Sequence, residues 1–475
     1  MRTTRRRVLQ KPARDYKNDL LANVGEGPHF DYLDVGSKNY LALIEGDTAV
    51  WSLINRSALF NTLNNSGLVS AVQAETSTCR QEMEALRFGL TPSAVYFNPT
   101  ERCNLNCTYC YLPEEMRRDG IHMSAEQVCQ ALERLEIHFK ASLPAGARPQ
   151  VVFHGSEPLL AREAVFEAIA SFGDFFRFGI QTNATLLDEN TVTFLRDNQV
   201  GIGISLDGPN ARVGDSARQT WGGKGVFAQV EKVLEGLVDY DGFNVICTVT
   251  RLNVSSLVQM VEYLHGKGVR QAMLNPVRCT RPGGLGLKPD NMDLASNFFA
   301  ALDRCFELLE ESGHKLVIAN FANVLMGIVA PTARRLMCDI SPCGGGRCFF
   351  AVSARGEVFP CSEFIGLAEF CGGNLFKDEM NEILASHQFQ KVTTRRVENI
   401  EPCNRCAVRH FCGAPCPAEI YGSKGTLAAP PEYCSFYLEQ ARYALRLLGL
   451  GREDGYLWDK WRETTMETYS LQQLP

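Results

Sequence analysis

Between residues 93 and 315 short apolar runs alternate with amphipathic ones, and this rhythm leaves the chain few folds to adopt. AVYFNP (94–99), QVVFH (150–154), RFGIQT (177–182), GIGISL (201–206), FNVICTVT (243–250) and RQAMLNPV (270–277) read as strands. Helical segments follow them in turn, from HMSAEQVCQALERLEIHFK to NMDLASNFFAALDRCFELLEESG. In the first, Ser124 and Gln127 fit a capping box, and Val128, Leu132 and Leu135 recur at helical spacing. Continuously apolar strands alternating with helices predict a parallel sheet buried on both faces. Six such units predict an α/β fold, an open, partial (β/α)6 barrel of TIM type. Ligands then gather at the C-terminal ends of its strands.

The flanks read differently. Residues 1–25 look like a flexible basic tail and 26–92 like a small α+β domain, with FDYLDVG and NYLALIEGDTAVWSLI followed by helix-like RSALFNTLNN and TCRQEMEALRFGL. After residue 316 the rhythm stops, and 316–440 reads as a loop-rich domain before a C-terminal helix and tail over 441–475. Ten of the chain's 18 cysteines fall within 338–440, where metal–sulfur bonds would supply what packing cannot. The start has a basic run with no apolar core after it, and no apolar stretch reaches the ~18–20 residues that span a bilayer. We therefore expect a reduced, cytoplasmic protein whose cysteines are thiolate ligands, with no membrane partner. A net charge of −6 argues against a nucleic-acid partner.

Directly after the first strand stands Cys103-x3-Cys107-x2-Cys110. Three cysteines on one loop can converge on an inorganic cluster. A 4Fe–4S cube takes four ligands, so three thiolates leave one iron open. Zinc with an outside fourth ligand is the alternative. On this motif the chain resembles the radical S-adenosylmethionine (SAM) enzymes, which carry C-x3-C-x2-C after the first strand of a partial barrel and an aromatic residue, here Tyr109, before the last cysteine. The resemblance implies that the open iron takes the amino and carboxylate groups of SAM. Reductive cleavage then yields methionine and a 5′-deoxyadenosyl radical. It implies further SAM-binding positions at the strand ends. The second strand ends in His154-Gly155-Ser156-Glu157-Pro158, where the family has Gly-Gly-Glu-Pro and Ser156 replaces a glycine. Asn183 closes the third strand, Ser205 and Asp207 the fourth with Arg218 following, and Asn275 the sixth.

The second cysteine region reads Cys403-x2-Cys406-x5-Cys412-x3-Cys416, then Cys434 after seventeen intervening residues. Upstream, Cys343 is followed by Gly356 and Cys361 as C-x12-G-x4-C. This resembles the SPASM domain of peptide-modifying radical SAM enzymes, whereas a structural zinc ribbon would need only four cysteines. The resemblance implies two auxiliary 4Fe–4S clusters, for three in all. Cys403, Cys406, Cys412 and Cys434 would hold the distal one. Cys343, Cys361 and Cys416 would hold the proximal one, completed by Cys348 or Cys338 or left open. Cys79, Cys129, Cys247, Cys279, Cys305 and Cys371 read as small buried hydrophobes.

The implied activity is maturation of a ribosomally made peptide or protein, most simply by a cysteine thioether cross-link, with a one-electron donor such as flavodoxin or ferredoxin. Residues 26–92 have the length and position of a peptide-leader recognition unit. The alternatives are formylglycine-type oxidation of a Cys or Ser and a non-catalytic metal module. The sulfatase-maturing branch uses an Asp after the G-x4-C cysteine. Here Ser362 stands there, with Glu363 next, and a serine cannot serve as a carboxylate base.

Overall fold

The computed structural model describes residues 8–9, 30–58, 79–237 and 239–463. Its strands are β1 (Val8–Leu9), β2 (Phe30–Leu33), β3 (Tyr40–Glu45), β4 (Trp51–Asn55), β5 (Ala94–Phe97), β6 (Gln150–Phe153), β7 (Arg177–Thr182), β8 (Gly201–Ser205), β9 (Phe243–Val249), β10 (Gln271–Pro276), β11 (Val317–Ile318), β12 (Phe349–Val352), β13 (Glu357–Phe359) and β14 (Gly373–Asn374). The six strands read from the sequence are β5 to β10. They lie side by side in chain order, each parallel to the next. The helices between them are α1 (Ala125–Ser142), α2 (Arg162–Phe172), α3 (Glu189–Asp197), α4 (Phe227–Glu235) and α5 (Leu257–Gly266), and α6 (Asn291–Ser312) follows β10.

Local chemistry places these elements. At the start of α1 the Ser124 hydroxyl accepts from Gln127 N at 3.1 Å, and the Gln127 side chain accepts from Ser124 N at 2.9 Å. Such a cap is worth about 1 kcal/mol. Val128, Leu132, Leu135 and Phe139 then bury one face of α1 against the sheet. Asp188 caps α3 through Thr191 N in the same way, at 2.8 Å.

Both edges of the sheet extend beyond the six strands. β11 adds parallel to β10, while β12 adds parallel to β5 and continues antiparallel into β13 and β14. The sequence reading treats 349–374 as loop. Phe349, Phe350, Ala351 and Val352 are all buried, but so short an apolar run between glycines carries no period to read. Helix α7 (Ala319–Val329) escapes notice for a related reason: it is apolar nearly all round and buried, so it shows no polar face. Helix α8 spans Cys434–Leu450, so it begins within the cysteine region.

The small N-terminal sheet has the order β1-β4-β3-β2. It packs on α7, with Trp51 Nε1 donating to Ile328 O at 2.7 Å. Asp47 pairs with Arg409 at 3.1 Å, which places this sheet beside the Cys406–Cys412 turn. Residues 79–88 are helical, as TCRQEMEALRFGL predicts. Arg56–Ala58 is a 3-10 turn, and the rest of the helix reading of RSALFNTLNN lies outside the described residues. So does the reading of 1–25 as a tail, apart from β1, which pairs parallel to β4. Among the described residues no helix is long and apolar enough to cross a membrane.

Candidate active site and thiol clusters

The loop after β5 carries Cys103, Cys107 and Cys110 and is braced from several sides. Cys103 N donates to Arg117 O at 2.9 Å, and Trp221 Nε1 donates to Cys103 O at 2.8 Å. The buried Arg117 guanidinium reaches Asn106 Oδ1 at 2.9 Å. The loop after β10 packs against it: a Cβ on Gly283 would lie 2.6 Å from Thr108 O, and Arg281 Nε donates to Tyr111 O at 2.7 Å. Burial pushes the Cys103 thiol up to about 12 and Cys110 to about 11, and it raises Cys107 as well. Thiols so placed ionise only beside strong positive charge, which an iron–sulfur cluster provides.

Around this loop the strand ends bring together most of the predicted SAM-binding positions. Gly155 has φ +96°, and a Cβ there would lie 2.1 Å from the Asn98 side chain, so only glycine fits. Ser156 takes the neighbouring position and donates through Oγ to Glu101 O at 2.6 Å. Its hydroxyl is thereby used inside the turn. Glu157 is fully buried and accepts from Thr182 Oγ1 at 2.8 Å, Asn183 N at 2.8 Å and Leu159 N at 3.1 Å. Burial lifts its carboxyl to about 7 against these bonds. Glu157 therefore ties the end of β6 to the end of β7. Asn183 Nδ2 in turn meets Asn104 Oδ1 at 2.8 Å, which reaches into the cysteine loop.

Tyr109, Asp207 and Arg218 form one buried unit. Arg218 Nε donates to Asp207 Oδ2 at 3.2 Å and Nη2 to Tyr109 Oη at 2.7 Å, while the Tyr109 hydroxyl donates to the same Asp207 oxygen. The other Asp207 oxygen accepts from Thr248 N at 2.8 Å. Ser205 ends β8, half-buried. Asn275, the penultimate residue of β10, lies on the wall of a cavity described below.

Gly155→Ala is expected to strain the turn and displace Asn98. SAM binding to the reconstituted protein, read by equilibrium dialysis, should weaken roughly tenfold or more, which is ~1.4 kcal/mol. Unchanged binding would show that this turn does not border the SAM site.

The second cysteine region resolves into two sets of thiols. Cys403, Cys406, Cys412 and Cys434 lie close enough to act on one another's ionisation. So do Cys338, Cys343, Cys361 and Cys416. In both sets burial raises the thiols, Cys403 to about 11 and Cys416 to about 12. Cys348, offered by the sequence reading for the proximal set, is near enough for Cys343 to act on its ionisation, yet its packing is apolar. It packs with Met83, Leu86, Ala94 and Met337 in a small apolar core. Cys338 stands with Cys343, Cys361 and Cys416 and lines the cavity described below. Cys338-x4-Cys343 and Cys343-x4-Cys348 have the same spacing, so the sequence carries no signal between the two. Among the described residues no three His, Cys, Asp or Glu side chains converge tightly enough to clasp a single ion. Of the other cysteines, Cys79, Cys247, Cys279 and Cys305 are buried, while Cys129 and Cys371 are half-buried.

A cavity of about 260 Å³ joins the two halves of the molecule. One wall is the C-terminal strand ends, with Tyr96, His154, Gln181 and Asn275. The opposite wall holds Cys338, Cys343, Cys361 and Cys416. Cys338 is open to this cavity although protein surrounds it. Burial brings His154 down to about 4, so its imidazole is neutral. Glu363 also lines the cavity, accepts from Thr280 Oγ1 at 3.3 Å and is raised by burial to about 7. Arg278 pairs with the buried Glu419 at 3.3 Å beside it. The sequence reading passes over Arg278, because a lone arginine after a strand carries no motif.

Comparison with known proteins bears on this arrangement. Residues 97–264 match the model of the radical SAM superfamily, and residues 343–407 match that of an iron–sulfur cluster-binding domain, SPASM. An uncharacterized protein of Archaeoglobus fulgidus is 42% identical over 371 residues, covering 78% of this chain and 85% of that protein. A cysteine-type anaerobic sulfatase-maturating enzyme of Clostridium perfringens is 24% identical, covering 75% of this chain and 97% of its own. Among solved structures, native anSMEcpe with bound AdoMet and the Cp18Cys peptide superposes with a TM-score of 0.64 at 22% identity, over 76% of this chain and 99% of that one.

Proposed function

From the premise that the chain belongs to the radical SAM superfamily and carries a SPASM cluster-binding domain, we propose that it matures a ribosomally made peptide or protein by forming a cysteine thioether cross-link. It is an enzyme of reductive SAM cleavage, with SAM and 4Fe–4S clusters as its cofactors. The donor sets fit those groups: three thiols on the loop after β5, and four in each set of the second region. Cys103, Cys107 and Cys110 would hold the SAM-binding cluster. Cys338, Cys343, Cys361 and Cys416 would hold the proximal auxiliary cluster, and Cys403, Cys406, Cys412 and Cys434 the distal one. When bound, these groups would supply a radical able to take a hydrogen atom from a peptide carbon, and an acceptor for the electron left when sulfur bonds that carbon and releases its proton.

The observation that carries the reading is the shared cavity. The strand ends that would face SAM and the proximal thiols line the same small space. A peptide side chain entering it meets both. The Clostridium enzyme and its peptide-bound structure support a peptide or protein substrate. This chain's own groups orient that substrate: Arg278 and Glu363 offer charge, and neutral His154, Gln181 and Asn275 offer hydrogen bonds.

One observation favours formylglycine-type oxidation as a second reading. Glu363, offset by one residue from the expected acid, still reaches the cavity wall. The experiment is anaerobic incubation with SAM, a reductant and the peptide encoded beside the gene. The thioether reading expects a product lighter by two hydrogens whose cysteine no longer alkylates. An aldehyde trapped by hydrazine would establish the second reading. An unchanged peptide, with SAM still cleaved, would count against a peptide substrate of this kind.

A further inference from the structure

We propose that Arg395 is the charged link between the two auxiliary clusters, a positioning residue that sets their reduction potentials. The inference rests on the reading above that the two thiol sets bind 4Fe–4S clusters.

Arg395 lies between the helix His387–Thr393 and the turn Val397–Asn399 and is 8% exposed. Its carbonyl accepts from Ser341 Oγ at 3.3 Å, in the segment between Cys338 and Cys343. The same hydroxyl accepts from Val397 N at 2.7 Å. Arg395 Nη1 donates to Ala414 O at 3.0 Å, between Cys412 and Cys416. Nε donates to Leu427 O at 2.7 Å, on the run toward Cys434. One residue thus fastens three segments that carry thiols of both sets.

Its charge faces both sets as well. Cys343 and Cys416 act on it from the proximal side, and Cys403 and Cys412 from the distal side. Among the described residues no carboxylate forms an ion pair with it. The remaining nitrogen, Nη2, is buried and has no hydrogen-bond partner. Leaving a buried charged donor unpaired costs more than leaving a neutral one so, and its position calls for an acceptor. Sulfur of a neighbouring cluster is the acceptor its surroundings offer.

A cluster gains negative charge on reduction. A fixed cation in a medium of low dielectric constant stabilises that reduced form, and N–H donors to sulfur act in the same direction. Standing between two clusters, Arg395 also weakens the repulsion between an electron on one and the charge of the other. Both potentials then lie higher than they would without it.

The test is an EPR-monitored redox titration of reconstituted holoenzyme. In Arg395→Gln we expect the auxiliary potentials to fall by at least a tenfold change in the reduction equilibrium, ~59 mV for one electron. Arg395→Lys keeps the charge and should recover most of that fall. Unchanged potentials in fully loaded Arg395→Gln overturn the proposal, as does an Arg395→Lys variant shifted equally far. Fewer than ~12 iron atoms in the wild-type protein would instead sink the three-cluster reading itself. Should Arg395→Gln fail to load, wild-type and Arg395→Lys proteins carrying guanidino-15N arginine are reduced and compared by pulsed EPR, since Arg347 also stands beside Cys343. A nitrogen coupling on the auxiliary signals that is lost in Arg395→Lys supports the proposal, and an unchanged pattern overturns it.

Discussion

Asp207→Asn is expected to destabilise the barrel by about 3–5 kcal/mol, the usual cost of breaking a buried ion pair by removing one partner. Asp207 and Arg218 are 3% and 8% exposed, so water does not replace the lost partner. The carboxylate takes donors on both oxygens: Arg218 and Tyr109 on one, Thr248 N on the other. An asparagine keeps the shape but turns an amide N–H toward one of these donors, and Arg218 is left as a buried cation without its anion. Because Tyr109 sits between Cys107 and Cys110, the damage passes directly to the cysteine loop. The reconstituted variant should unfold at lower denaturant and lose SAM binding. Arg218→Met alone should also destabilise, by stranding Asp207. The double variant should lose less than the sum of the two, since contacting charges couple. Additive losses would show that the two side chains do not form a unit.

How far this arrangement could be read beforehand differs by region, for physical reasons. β5 to β10 were legible to within a residue or two because strands buried on both faces leave unbroken apolar runs. The strand-end positions came from the family resemblance, and the fold brings them together because loops at one end of a parallel sheet face one another. What could not be read is contact across the chain. Cys348 and Cys338 are both plausible by spacing from Cys343, and only packing shows that Cys348 turns into a core formed with Met83 and Leu86. Glu363 stands one residue away from the expected acid, yet a 3-10 turn over Ser362–Phe364 accompanies its placement on the cavity wall. Arg278 and Arg395 belong to no motif, and their meaning comes wholly from what surrounds them. Helix α7 and strand β12 were missed for lack of a polar face or of length.

Cys338→Ala and Cys348→Ala are expected to part company in iron content. With four thiols around the proximal site, loss of Cys338 leaves three, and the weakened cluster is shed on desalting. Iron should fall from ~12 toward ~8 atoms per chain, with sulfide falling in step. The distal and SAM-binding sites share no ligand with this set, so their signals should persist and SAM should still be cleaved. Cys348 predicts the opposite pattern. Its removal opens a small hole among apolar side chains, which costs stability by about 1 kcal/mol and leaves iron untouched. If Cys348→Ala loses the iron and Cys338→Ala keeps it, the assignment is reversed. If neither loses any, three thiols suffice and the fourth iron is open toward the cavity. That last case also bears on the chemistry. A proximal cluster closed by four thiols would only pass electrons, whereas one held by three would leave a ligand position for the substrate's sulfur in the cavity lined by Tyr96 and Asn275. Because Cys338 opens onto this same cavity, the iron count of one variant decides which kind of cluster the peptide meets.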